Sequence, residues 1–378
     1  MRILMTADPV GGVWSYALEL CAALAQDDVR VTLATLGGEP SPAQLDEVAR
    51  LPNVELFCSA YRLEWMPQPW DDLQRAGKWL LSLQKALRPD LIHLNHLVHA
   101  ELPWDAPVLT VAHSCVLSWW AAVRRTPIPA EWLEYRICVT RSLQAARCVV
   151  APTRAILAQL ESLYGPFRAR AVIHNSREAR RYIAPPTKER LILSAGRIWD
   201  AAKNVEALLA IAPQVRAPIV VAGATRNPCD STDVRIDESL RAAVRLEGHL
   251  SPERLSEWYA RAAIYTLPAR YEPFGLTALE AALSGCALVL GDIPTLHEVW
   301  GDAACYVSPD DHAGLRDALN ALLIDDAART EWAERAMARA RRFSPARFAR
   351  RYLSLYHALG ARRRHVAAAR PAATAATY

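Results

Sequence analysis

The residues Arg270-Tyr-Glu-Pro-Phe-Gly-Leu-Thr-Ala-Leu-Glu280 carry more chemistry than any other stretch of this chain. Glu272 falls in a loop, Gly275 at a turn, and Glu280 inside the helix that follows. The start of a helix offers unpaired backbone N–H groups and a partial positive charge, which suit a phosphate. A Glu about a turn and a half into that helix can accept two hydrogen bonds from vicinal hydroxyls, as on a ribose. A Glu just before the helix can reach a hydroxylated ring on the far side of the phosphate. Together these features describe a sugar–diphosphate–nucleoside lying across a helix start. Glu is a good helix former, and two of them at this spacing also occur by chance on solvated helices. The Pro273-Phe274-Gly275 insert makes chance the weaker account.

Two phosphates need counter-charge. Leu193-Ser-Ala-Gly-Arg197 ends a predicted strand and is followed by Lys203-Asn204. Arg offers a bidentate fork and Lys a mobile point charge. The chain has 44 Lys+Arg but only four lysines, Lys78, Lys85, Lys188 and Lys203, so a lysine beside a strand end stands out. Near the N-terminus, Asp8-Pro-Val-Gly-Gly-Val-Trp14 follows the first predicted strand and opens a helix. Gly11-Gly12 there permits close backbone approach to an anion or a sugar. His113, Asn175 and Gly223 each follow a predicted strand, which places them at the sheet ends where ligands gather.

Short apolar runs alternate with helical patterns throughout, as in parallel βαβ units. Strands are expected at Arg2–Ala7, Arg30–Thr35, Val54–Phe57, Leu91–Leu94, Val108–Ala112, Cys148–Ala151 and Ala171–His174. They resume at Leu191–Ser194, Ile219–Ala222, Val244–Glu247, Ile264–Leu267, Ala287–Leu290 and Cys305–Val307. Arg177–Arg190, charged and containing Pro185-Pro186, suits a linker. The expected fold class is α/β: two Rossmann-like, doubly wound domains facing across a cleft. The expected division is 1–170, 171–344, a last helix at 345–360 and an Ala/Arg/Pro-rich mobile tail at 361–378.

The Glu272-x7-Glu280 spacing around Pro-Phe-Gly, with Gly196-Arg197 and Lys203, resembles the signature of retaining family 4 glycosyltransferases of the two-Rossmann GT-B type. The resemblance covers most of residues 1–360. It implies a donor site in which Arg197 and Lys203 hold the diphosphate of a UDP- or GDP-sugar. Pro273, Phe274, Gly275, Leu276 and Thr277 then form the helix start, Glu272 binds the donor sugar and Glu280 the ribose. It also implies that Gly11-Gly12 faces the donor across the cleft, that His113 lies close to the reacting sugar, and that the last helix crosses back onto the first domain. Two departures from the family pattern are visible: Trp199 between Arg197 and Lys203, and Asn175-Ser176-Arg177 where the family has Asn-Gly-Val. Glu298 reads as structural, capping a helix or pairing with an Arg.

By the same resemblance the reaction retains anomeric configuration through a front-face displacement, the leaving diphosphate taking the acceptor's proton. No Asp-x-Asp pair occurs in the chain, so the expected site is metal-free, with no cofactor beyond the donor substrate. The acceptor is a carbohydrate, a lipid-linked sugar in cell-surface polysaccharide or glycolipid synthesis, or a small-molecule metabolite. A nucleotide-sugar epimerase of the same fold and a non-catalytic binding protein are the rivals. No G-x-G-x-x-G follows a predicted strand, which disfavours a nicotinamide oxidoreductase.

Composition agrees. At 378 residues, 52% apolar, the chain can bury two cores, and no apolar run reaches the roughly 20 residues that span a bilayer. The start reads as a strand and not as a signal peptide, and the eight Cys are scattered, so a reducing cytoplasmic location is expected. Residues 1–165 carry 14 Lys+Arg against 17 Asp+Glu, and the remainder 30 against 23. A solvated basic face explains this excess most simply, and docking at the inner face of an anionic membrane is the sharper alternative. Nucleic acid is not expected, because no aromatics interleave with a basic stripe. Of the twelve Trp, Trp65, Trp70, Trp119 and Trp120 sit off clean helical stripes, where they serve either as core or as stacking faces for an acceptor.

Overall fold

A computed structural model describes residues 1–227 and 243–360. The expected mobile tail, 361–378, lies outside the described residues. Apolar runs too short for helices become parallel strands buried on both faces. The first sheet holds β1 (Arg2–Ala7), β2 (Arg30–Thr35), β3 (Val54–Cys58), β4 (Leu91–Leu94), β5 (Val108–Val111), β6 (Cys148–Ala151) and β7 (Arg170–Val172), in the order β3-β2-β1-β4-β5-β6-β7. The second holds β8 (Glu189–Ala195), β9 (Ile219–Ala222), β10 (Val244–Gly248), β11 (Ala262–Leu267), β12 (Ala287–Gly291) and β13 (Cys305–Val307), in the order β10-β9-β8-β11-β12-β13. Every pairing is parallel. Two Rossmann-like domains follow from this topology.

Helices cover the sheets. In the first half these are α1 (Gly12–Leu24), α2 (Pro42–Ala49), α3 (Trp70–Leu87), α4 (Val116–Val123), α5 (Leu133–Ala145) and α6 (Arg154–Tyr164). In the second half they are α7 (Val205–Ile211), α8 (Pro252–Arg261), α9 (Leu276–Leu283), α10 (Pro294–Trp300), α11 (His312–Ile324), α12 (Asp326–Ala340) and α13 (Pro345–Ala358).

Two expectations need correction. The last strand of the first sheet lies at Arg170–Val172, paired with β6, so a division at residue 171 cuts through it and the first domain runs past β7. Arg177–Arg190 is also not simply a linker: Arg177 is buried, Ala179–Arg181 form a 3-10 turn, and β8 already begins at Glu189. The charge that suggested a solvated connector is taken up by an internal partner, described below.

The last helix returns to the first domain. Phe348, Tyr352 and Tyr356 of α13 are buried in one cluster with Ile3, Tyr16 and Leu20. The Tyr16 and Tyr352 hydroxyls are hydrogen-bonded, and the Tyr356 hydroxyl lies 2.8 Å from His93 Nδ1 on β4. The second domain is therefore held at both ends of its chain. Tyr352→Ala removes a fully buried ring and leaves the Tyr16 hydroxyl without its partner. It is expected to lower unfolding free energy by about 3–5 kcal/mol, the range for large-to-small changes of aromatic core residues, measured by denaturant titration.

Candidate active site

In an open parallel sheet, ligands bind where the strand order reverses. Those points are β1/β4 in the first sheet and β8/β11 in the second. The loops leaving these four strands carry Asp8 and Gly11-Gly12, Asn95, Gly196-Arg197, and Arg270 to Gly275. Most of the chemistry-bearing residues in the sequence thus sit at two facing crevices.

The second crevice is the more charged. Gly275 takes a positive φ of 88° as the N-cap of α9, a conformation glycine adopts without the Cβ strain. Glu272 Oε1 accepts hydrogen bonds from the Phe274 and Gly275 amides at 3.3 and 2.9 Å, and its Oε2 lies 2.6 Å from Lys203 Nζ. The Thr295 hydroxyl donates to the Glu272 carbonyl at 2.6 Å. Burial alone would raise the Glu272 carboxyl, but Lys203 and the two amides outweigh it and hold the group below the ordinary carboxylate range. Glu272 therefore stands ionised at the helix start, while Leu276 and Thr277 supply amides that no residue within the helix can accept. Thr277 Oγ1 accepts from Tyr265, whose ring is buried beneath.

Arg197 stands at the mouth, 2.8 Å from Asp200 and with its guanidinium 5.3 Å from the Trp199 ring centroid. A Cβ built on Gly11 would come within 3.3 Å of Arg197 Nη1, and one on Gly12 within 3.8 Å of Leu276. The N-terminal glycine loop thus meets the donor-side residues across the cleft. Gly223 has a different role from the cleft-lining one expected. A Cβ there would lie 1.7 Å from the Gly196 carbonyl oxygen, so the glycine lets the β8 and β9 loops pass and supports Arg197 from behind.

Glu280 is already engaged. Its carboxylate lies 2.7 Å from Arg177 Nε and accepts from the Tyr259 hydroxyl at 3.1 Å. Arg177 is fully charged despite burial, because Glu280 outweighs the desolvation and raises it. Each carboxylate oxygen retains a second lone pair, so a vicinal diol can still be accommodated. Arg177 was not anticipated as a site residue; its signal was an Arg directly after Asn175-Ser176, submerged in a charged stretch. Asn175 itself is buried and lines a cavity beside β7 that Phe343 also walls.

In the first crevice, Asn95 is the hub. Its amide Nδ2 donates to the Thr6 carbonyl at 2.8 Å, which fixes Oδ1 as an acceptor for His113 Nε2 at 2.9 Å and His93 Nε2 at 3.2 Å. Both imidazoles therefore carry the proton on Nε2. Burial lowers each to about 3, so His113 is neutral and its Nδ1 is a bare acceptor. Asp8 was also passed over. It follows β1, and burial raises it to about 6 against the pull of the Val10 amide and Arg197.

The domains touch around the cleft. Trp119 Nε1 donates to Asp200 at 2.9 Å and the Ser118 and Tyr271 hydroxyls are 2.8 Å apart. Glu298 accepts from the first amides of α6, Arg154 and Ala155, at 2.9 and 3.0 Å. The capping role expected of Glu298 is realised across the domain interface. Trp119 is an interdomain tie, Trp120 bonds Thr126, and Trp65 and Trp70 pack as partly buried core.

Two facing Rossmann-like domains with cationic and carboxylate groups gathered at their switch points form a two-domain α/β protein with a polar cleft. Comparison with known proteins gives the family: residues 10–181 match Glycosyltransferase Family 4 and residues 189–325 match Glycosyl transferases group 1. The chain belongs to this glycosyltransferase family. It is 28% identical over 373 residues to a Mycobacterium tuberculosis protein named glycogen synthase, covering 87% of each. Among solved structures it resembles sucrose-phosphate synthase from Thermosynechococcus elongatus, with a TM-score of 0.79, 20% identity, and coverage of 95% of this chain and 99% of that one. It also resembles Anabaena HepE in complex with UDP-glucose, with a TM-score of 0.72, 17% identity, and coverage of 95% and 100%. No helix among the described residues is long and apolar enough to cross a membrane.

Asp8 offers a direct check of these electrostatics. Its ordinary value is 3.8 and its folded value about 6, so between these limits the folded chain keeps a proton that the unfolded chain has lost. Its contribution to stability is fully present below about pH 4 and is lost as pH rises through about 6. Asp8→Asn should therefore stabilise the fold at pH 8 by on the order of 1–2 kcal/mol and change little below pH 4, measured by denaturant titration at both.

Proposed function

We propose that this protein transfers a sugar, with retention of anomeric configuration, from a UDP- or GDP-sugar to a hydroxyl acceptor, with its own residues supplying the counter-charge. The observation that carries this reading is the meeting of Arg197, Lys203, Glu272 and the start of α9 with the Gly11 loop. Arg197 and Lys203 would take the diphosphate, the Leu276 and Thr277 amides an equatorial phosphate oxygen, and Glu280 the ribose diol beside Arg177. Glu272 would accept hydrogen bonds from the donor sugar's hydroxyls, its charge also facing the cationic character that develops at the anomeric carbon. Neutral His113 would orient that sugar through Nδ1. The leaving diphosphate, held by fixed cations, would accept the acceptor's proton, so that no side-chain base is required.

The HepE complex with UDP-glucose supports a uridine donor, and the relative named glycogen synthase supports a carbohydrate acceptor. Polysaccharide or glycolipid synthesis in the cytoplasm is the setting we infer. The unpaired cysteines of the described residues suit a reducing compartment. A small-molecule acceptor would use the same donor site.

A nucleotide diphosphate at one hundred times its Kd should raise apparent stability by about 2.7 kcal/mol. Lys203→Ala should remove most of that gain, and should lower kcat by about 10²-fold if the lysine stabilises the leaving group. UDP and GDP with no effect on thermal unfolding would remove the donor-site reading. Incubation with donor alone should give only slow hydrolysis; appearance of an epimerised nucleotide sugar would instead establish an isomerase. Separately, NMR of the first product should show the donor's anomeric configuration, and inversion would overturn the mechanism.

A further inference from the structure

A second concavity, of about 290 Å³, lies against the edge strand β7, and its lining residues His174 and Phe343 pack on Phe274. It is bounded by the start of α6, the end of β7, the end of α12 and the start of α13. Five arginines line it, Arg154, Arg339, Arg342, Arg347 and Arg351, and no acidic residue does. Its volume stands near the lower end of the range of small-molecule sites, roughly 300–1,000 Å³.

Internal carboxylates offset only part of this charge: Glu298 pairs with Arg154, and Asp302 acts on Arg339. Arg154 is 3.7 Å from Glu298, but both oxygens of that carboxylate already accept backbone amides. Arg339 donates to the carbonyls of Val299 and Glu298, and Arg351 to that of Val172, all uncharged groups. Arg342 and Arg347 have no acidic partner among the described residues. Burial and the neighbouring Arg342 hold the Arg339 guanidinium below its ordinary value. On a convex solvated face such arginines would fan apart into water. Here all five belong to the lining of one hollow, Arg339 half-buried and the other four exposed.

We propose that this cavity binds a phosphate monoester. A phosphate dianion presents oxygens that match the planar guanidinium fork and would neutralise two of the five charges. Phe343, Phe348, Val172 and Ile173 offer an apolar wall to the organic body attached to it. The site shares no residue with Arg197, Lys203, Glu272 and Glu280. Its occupant would touch both places where the chain passes between the domains: the exit of β7 and the turn from α12 into α13.

The phosphate could belong to a soluble metabolite or to a lipid headgroup, and two probes separate these sources. Glucose 6-phosphate, with glucose as control, would be titrated calorimetrically at low ionic strength into the full chain. Vesicles of phosphatidylcholine with phosphatidic acid, which carries the same monoester, would be tested by flotation. The wild type should bind at least one probe. Arg342→Ala with Arg347→Ala should weaken that binding by about tenfold or more, whereas Lys203→Ala should leave it unchanged. Binding of the soluble probe identifies a metabolite site, and binding of vesicles alone a headgroup site. The proposal is overturned if neither probe binds, or if binding survives the double arginine change and disappears in Lys203→Ala. The arginine side chains are exposed, and Arg347→Gln provides a milder second variant whose folding is checked by circular dichroism.

Discussion

The ion pair between Lys203 and Glu272 organises the cleft. A carboxylate this buried is unfavourable unless it is paired and its lone pairs are occupied. Glu272 meets that condition with one cation and two amides, and its backbone carbonyl is held by Thr295. The same contacts bring the loop after β8 against the loop after β11 and define where α9 begins. Neighbouring positions inherit their geometry from it: the left-handed Gly275, the open amides of Leu276 and Thr277, and the side of the cleft that Gly11 approaches. Lys203 keeps two further N–H donors beyond the one given to Glu272.

The domain interface uses the same economy of polar groups. Asp200 receives Arg197, the Ala202 amide and Trp119 from the opposite domain, and is held below the usual carboxylate range by these partners despite its burial. Glu298 supplies the negative end that α6 needs at its first turn. Ala202 and Tyr271 of the second domain even pack into the first domain's core cluster. These contacts join the two domains beside the cleft. Because they are few and mostly polar, they are of the kind that hinge motion can exchange for water.

Behind the cleft, the linker and the crossover are joined. The Arg177 amide donates to the Phe343 carbonyl at 3.2 Å, and the Arg177 side chain holds Glu280. Phe343 in turn walls the arginine-lined cavity. One short run of residues therefore touches the carboxylate assigned to the ribose and the hollow where positive charge accumulates.

Much of the fold was legible in the sequence because buried parallel strands leave an unambiguous apolar signature. Arg2–Ala7, Arg30–Thr35, Leu91–Leu94, Cys148–Ala151, Ile219–Ala222 and Cys305–Val307 are found at the expected limits. The meeting of Lys203 with Glu272 was legible too, since both lie in short motifs at the ends of neighbouring strands of one sheet. What local pattern could not contain is pairing between distant positions. Arg177 looked like linker charge until Glu280, a hundred residues on, was seen to neutralise it. Gly223 looked like a cleft residue until Gly196 was found against it. The protonation states of His113 and Asp8 depend on burial, which is set by the whole chain. Residue types and spacing thus determined the two-domain α/β fold and the glycosyltransferase family; only the tertiary structure decided which charges are compensated, because compensation is a matter of distance and dielectric, not of order along the chain.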